Sequence, residues 1–162
     1  MGFESFQAVL RGEPQPIEEI VSIIGSIPGL RDDPNPGWHR GSRYLLAEDE
    51  RHLIEMEIDA DRVSCRFALC HPATVDDAFT GLLLELATRL GWRIDLLDDS
   101  SGRPFGPEEG AEMETAAKRS IAQRRAEWVS AFGPQTRRCT TAEAWAPFII
   151  PRSKEDQASG AA

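Results

Sequence analysis

Two neighbouring segments, 52–59 and 62–70, constrain the fold most strongly because apolar and polar residues alternate over 54–59 in the first and over 62–67 in the second. A period of two with one apolar face is typical of half-buried antiparallel strands. If Ala60 and Asp61 form a two-residue turn, apolar residues face apolar residues on one side of the hairpin, and acids face bases on the other. The opposite pairs are then Asp59 with Arg62, Ile58 with Val63, Met56 with Cys65, and Glu55 with Arg66. A shift by one residue would scramble both faces, so the pattern predicts this register.

A third strand is predicted at 43–48, connected to the second by a turn at Asp49 and Glu50. This pairing places Tyr44, Leu46 and Leu53 on the polar side of the sheet. An apolar patch on that side needs a cover, either from another segment of the chain or from a partner.

The remaining elements predict an α+β fold. An amphipathic helix at 75–90, capped by Gly91, leads to a fourth strand at 92–97, and a long helix follows at 108–132. Residues 3–10 are expected to form a short helix, and a second helix is expected to start at Pro16 and to end before Pro28. We therefore expect an antiparallel sheet of about four strands with helices on one face. We expect one domain over 1–151, with 144–150 extended, and a disordered tail over 152–162.

Charge and cysteine content favour some classes of function over others. The formal net charge is −9, which disfavours generic binding to nucleic acid and favours encounter with a basic protein.

The first residues do not resemble a secretory signal, and no stretch reaches the roughly 18 apolar residues that a membrane span needs. Three cysteines without a signal favour free thiols, and Cys65 is expected to be a buried apolar thiol. A cytoplasmic location without membrane contact is the expectation.

No motif specifies a reaction. The three histidines form no HExxH pair, and CxxC, GxSxG, GxxxxGK[ST] and GxGxxG are all absent. We predict no catalytic residue, no metal ligand and no cofactor.

The alternative of a small metal-dependent hydrolase or nuclease rests on acids that could hold Mg²⁺. The acids concerned are Glu55, Glu57, Asp59, Asp98 and Asp99. A restriction-type nuclease would also need a lysine on this strand pair, and Arg66 cannot act as a base at neutral pH. Cross-strand ion pairs are the favoured interpretation of this acidic strand.

Basic residues gather on and after the last helix, where they could contact phosphate. They are Lys118, Arg119, Arg124, Arg125, Arg137 and Arg138. Acids fill the start of the same helix, and Lys118 and Arg119 can pair with Glu114. Because acids early and bases late suit the helix dipole, we predict intramolecular pairing and no nucleic-acid partner.

An acidic surface at one edge of the predicted meander is the positive functional signal. Such a surface can steer and dock a basic protein, with apolar residues near its centre. Trp38, in the turn-rich segment 31–42, either packs into the core or serves as a binding anchor. The predicted partner-binding residues are Trp38, Tyr44, Glu48, Asp49, Glu50, Glu55, Glu57, Asp59 and Asp61.

The segment 52–97 contains EMEID, RVSCRFALCHP and a leucine-rich helix that ends in LATRLGWRIDLLDD. In this pattern it resembles small bacterial α+β proteins, some of which are similar to immunity proteins encoded beside polymorphic toxins. The resemblance implies a cytosolic inhibitor that binds and neutralises a cognate toxin, and it carries over no site residue. A structural or regulatory homodimer is the third alternative.

Overall fold

A computed structural model of the chain describes residues 5–28, 30–32, 43–46, 53–69 and 73–133. These residues form three helices and one antiparallel sheet, so the predicted α+β class is confirmed. The strands are β1 (Ser5–Arg11), β2 (Leu30–Asp32), β3 (Arg43–Leu46), β4 (Leu53–Asp59), β5 (Arg62–Ala68) and β6 (Arg93–Leu96). The helices are α1 (Ile17–Gly25), α2 (Thr74–Leu90) and α3 (Gly110–Phe132), with a 3₁₀ turn at Pro107–Glu109 before α3. The segment 144–150 and the tail 152–162 lie outside the described residues.

The strand order in the sheet is β2-β3-β4-β5-β1-β6. Each neighbouring pair is antiparallel, so β5 and β6, which flank β1, run parallel to each other. Helix α2 connects β5 to β6, as the predicted strand-helix-strand order requires. The N-terminal strand, β1, therefore lies between β5 and β6 and is hydrogen-bonded to both.

The register predicted for the β4-β5 hairpin is confirmed. Asp59 lies opposite Arg62, Ile58 opposite Val63, Met56 opposite Cys65, and Glu55 opposite Arg66. Ile54, Met56 and Ile58 are at most 2% exposed, and Cys65 is fully buried as expected. Agreement between both faces and the turn length fixes this register, because a slip would bury the carboxylates.

The short helix expected at 3–10 is wrong, because residues 5–11 form strand β1. Phe6, Ala8 and Leu10 are buried at a period of two. The chain is hydrogen-bonded on both sides, to β5 and to β6. Pairing with strands more than 50 residues away decides the conformation here and overrides the local spacing that suggested a helix. With β2, which was also not predicted, the sheet reaches six strands where about four were expected.

All three helices contribute to the core on one side of the sheet. Phe79 of α2 packs against Phe6 and Phe67 of the sheet, with ring centroids 5.8 Å and 4.8 Å away. Helix α1 buries Ile20 and Ile24 in the same core. Helix α3 buries Met113, Ala117 and Ile121 in it. We call the opposite side of the sheet, which carries Glu55, Glu57 and Asp59, the outer face.

An ion pair ties α3 to the rest of the fold. The Arg125 guanidinium donates two hydrogen bonds, of 2.7 Å and 3.0 Å, to the Asp76 carboxylate at the start of α2. Arg125 Nε also donates to the carbonyl of Leu69, just after β5, at 3.3 Å. A bidentate pair of this kind is more directional than a lysine contact, so it fixes the position of α3.

Glycine is required at two positions near the helix-strand connection. Gly91 ends α2 with φ of +67°, in the left-handed conformation predicted for this cap. At Gly12 a Cβ atom would lie only 2.0 Å from the Trp92 ring, so any larger residue would displace the indole.

None of the helices in the described part of the chain has the length and apolar character needed to cross a bilayer.

Candidate protein-docking face

The acids of β4 point away from the helices, as the alternation predicted. Glu55, Glu57 and Asp59 alternate with the buried residues of the same strand. The side chains of Asp59 and Glu55 are 54% and 35% exposed. Asp61, in the turn that follows, is also exposed. Four of the predicted partner-binding carboxylates therefore lie on or beside the outer face.

Two of these carboxylates have arginine partners on β5. Arg62 Nη2 donates a 2.8 Å hydrogen bond to Asp59, and Arg66 Nε donates to Glu55. The hydrogen bond to Asp59, more than the charge attraction, raises the pKa of Arg62 above its ordinary value. Cross-strand pairing with β5 therefore balances part of the charge of the acidic strand, as the cross-strand interpretation predicted.

Tyr44 lies in β3, where its backbone pairs with that of Glu55. In the same ladder Leu46 pairs with Leu53, a register that agrees with the predicted turn at Asp49 and Glu50. The remaining predicted binding residues lie outside the described residues: Trp38, Glu48, Asp49 and Glu50.

Sequence reasoning missed a row of arginines on the outer face. Arg11 at the end of β1 lies directly opposite Arg62 of β5 on one side and Arg93 of β6 on the other. We call Arg62, Arg11 and Arg93 the arginine row. Reading residues 5–11 as a strand would have revealed it, because Arg11 then falls on the polar side of the alternation. Val9 and Ser64, in the adjacent positions of the same face, are buried, at 3% and 8% exposed.

The basic residues of α3 are engaged in intramolecular pairs. Lys118 contacts Glu114 at 2.7 Å, as predicted, and contacts Asp77 at the same distance. Arg119 contacts Asp99 at 3.4 Å instead of the expected Glu114. Arg124 Nε lies 3.6 Å from Asp98. Arg137 and Arg138 lie outside the described residues.

The acids considered for a metal-dependent reaction do not come together. Strand β4 is separated from β6 by β5 and β1, and three strand spacings amount to about 14 Å. Asp99 is directed instead at Arg119 and Ser101. Within the described ranges, no three histidine, cysteine, aspartate or glutamate side chains are grouped closely enough to hold a metal ion.

Cys65 is the thiol that the described part of the chain contains, and it is unsuited to nucleophilic chemistry. Burial raises the pKa of its thiol far above the ordinary value, so the thiolate does not form at neutral pH.

Comparison with protein-family models, with curated proteins and with solved structures finds no match to this chain.

Proposed function

We propose that this protein is a binding module for a basic protein, and that it acts in the bacterial cytoplasm as an immunity protein that neutralises a cognate toxin. The observation that carries the proposal is the outward direction of the β4 acids. Their apolar neighbours on the strand are buried under the helices, so the carboxylates are held in a row on a rigid sheet.

Charge distribution supports a basic partner. The segment 48–61 contains seven acidic residues and one basic residue, a formal charge of −6 in a protein of net charge −9. Negative charge concentrated in one segment increases the rate of encounter with a basic surface and suppresses wrong partners. An immunity protein needs both, because it must capture its toxin before the toxin acts.

The arrangement of the acids supports docking in preference to catalysis. Glu55 and Asp59 are oriented by arginines on the neighbouring strand, and the acids after β6 lie too far away to join them. Side chains that are held in place lose less conformational entropy when a partner binds. A row of oriented carboxylates can therefore contribute to affinity as well as to the association rate.

The experiment is a growth test with the product of the neighbouring gene. That product is expressed alone and together with this protein, and lethality that disappears on co-expression is the expected result. The variant Glu57→Lys with Asp61→Lys should lose protection. The control Glu18→Lys with Glu19→Lys makes the same charge change at exposed positions on α1 and should keep it. A harmless neighbour, or equal protection by both variants, contradicts the proposal.

A further inference from the structure

The arginine row departs from the pattern of the rest of the outer face. Between β4 and β5 an acid faces a base in two pairs, Asp59 with Arg62 and Glu55 with Arg66. At Arg11 a base faces a base on both sides. Like charges directly opposite each other in a sheet are destabilising, so stability alone does not explain this row. Departures from local rules of this kind concentrate at functional positions.

The two outer members of the row are each drawn away from its centre. Arg62 is bound to Asp59 on the β4 side. Arg93 Nη2 donates to the carbonyl of Pro104 at 3.0 Å and lies 3.6 Å from Glu109, both beyond the β6 edge. Arg11, between them, is exposed and makes no ion pair within the described ranges of the chain. Among the described residues, the centre of the row therefore presents an exposed guanidinium without an ion-pair partner.

We propose that the arginine row receives acidic side chains of the same protein partner whose basic side chains dock on the β4 acids. The inference rests on the proposed function and adds to it that the partner's surface is bipolar. Its acidic group must face Arg11, two strands from β4, so the two complementary charges on the partner lie about 10 Å apart. Opposite charges placed side by side also fix the orientation of docking, since a rotated partner would bring like charges together.

Protein carboxylates fit this row better than a nucleic-acid backbone does. Asp59 continues the row on β4, and Asp95 lies on the same face two residues beyond Arg93. These acids would repel a chain of evenly spaced phosphates, whereas separate carboxylates can approach Arg11 between them. Guanidinium groups bind carboxylates through paired hydrogen bonds, which gives the contact a defined geometry.

The test uses an oligoglutamate peptide, an oligolysine peptide and an oligothymidylate of matched length, each titrated into the isotopically labelled full chain. Amide chemical shifts locate each probe at about 50 mM salt, where surface charges are weakly screened. Oligoglutamate should shift the amides around Arg11, Arg62 and Arg93. Arg11→Glu should weaken its binding by roughly tenfold, and Arg11→Lys, which keeps the charge but loses the paired hydrogen bonds, should weaken it by a smaller factor.

The matched control is Arg119→Glu, because Arg119 is an exposed arginine on α3 and the substitution alters net charge by the same amount. Equal weakening by Arg119→Glu would mean that only net charge matters, and would overturn the inference. Tighter binding of oligothymidylate than of oligoglutamate to the row would overturn it in favour of nucleic acid. Oligolysine reports on the proposed function separately: if it binds at β4 while oligoglutamate does not bind at Arg11, only the inference fails. If oligolysine does not bind at β4, the proposed function fails.

Discussion

Replacing Arg11 with glutamate should stabilise the protein, although it should weaken the binding proposed for this position. The substitution places an acid, in place of a base, directly opposite Arg62 on one neighbouring strand and Arg93 on the other. Within the described ranges Arg11 makes no ion pair, so the substitution breaks none among those residues. An arginine that lowers stability at this position is expected where binding matters more to the protein than the stability that is lost.

The magnitude follows from Coulomb's law. Two unit charges about 6 Å apart in water interact by about 0.7 kcal/mol, and a Debye length of about 10 Å at 0.1 M salt reduces this by nearly half. Reversing the charge at position 11 changes the interaction energy with each of the two neighbouring arginines by twice the screened value. Since both neighbours also have other partners, we expect the free energy of unfolding to rise by roughly 0.5–1.5 kcal/mol, within the range for cross-strand pairs.

Urea denaturation at low and at high salt measures this effect. Arg11→Glu should raise the unfolding midpoint at low salt, and most of the gain should disappear near 1 M salt. Arg11→Gln removes the repulsion without adding attraction, so it should give about half of the gain. Lower stability of Arg11→Glu at low salt, or a gain that salt does not reduce, would refute the reasoning.

Three further predictions concern the core and the loop before α3. Phe79→Ala, which removes a ring from the aromatic cluster, should lower the free energy of unfolding by about 3–5 kcal/mol in urea titrations; a loss below about 1 kcal/mol would contradict the packing. The Cys65 thiol should resist iodoacetamide in the native protein and react in urea, as peptide mass spectrometry would show; labelling under native conditions at the rate of a free thiol would disprove its burial. Hydrogen bonds from Arg103 and from the Gly106 amide lower the pKa of Glu109 in the folded protein. The carboxylate therefore contributes to stability above its unfolded pKa near 4.5, and this contribution is lost as the pH falls through the lower pKa of the folded state. Wild type should therefore be more stable than Glu109→Gln at neutral pH but not in acid, and a difference independent of pH would argue against this pairing.

The parts of the fold that could be predicted are those in which neighbouring residues carry the information. The β4-β5 hairpin has a two-residue turn, so its register follows from Asp59 and Arg62 outward. Gly91 marks the end of α2 in the same local way. Strand β1 could not be identified like this, because its conformation depends on β5 and β6, which lie far along the chain. Its sequence SFQAVLR interrupts the alternation with Val9, which is buried on the side otherwise expected to be polar.

Only the part of the candidate site that depends on neighbouring residues could be predicted. The outward direction of Glu55, Glu57 and Asp59 follows from alternation within one strand. The arginine row is a property of three strands and becomes visible only when their order is known. Arg119 shows the same limit, since helical spacing pointed to Glu114, whereas the structure brings Asp99 from a distant loop. Local charge patterns predict partners along one helix or hairpin, but not between elements.

The most direct test of the account is the affinity for a purified basic partner, measured by calorimetry against salt concentration. We expect Glu57→Lys with Asp61→Lys to weaken binding by at least about tenfold at low salt, and Glu18→Lys with Glu19→Lys to leave it within about twofold. Equal affinities for the two variants would contradict the account, as would a divalent ion bound by the β4 carboxylates that supports turnover without any protein partner.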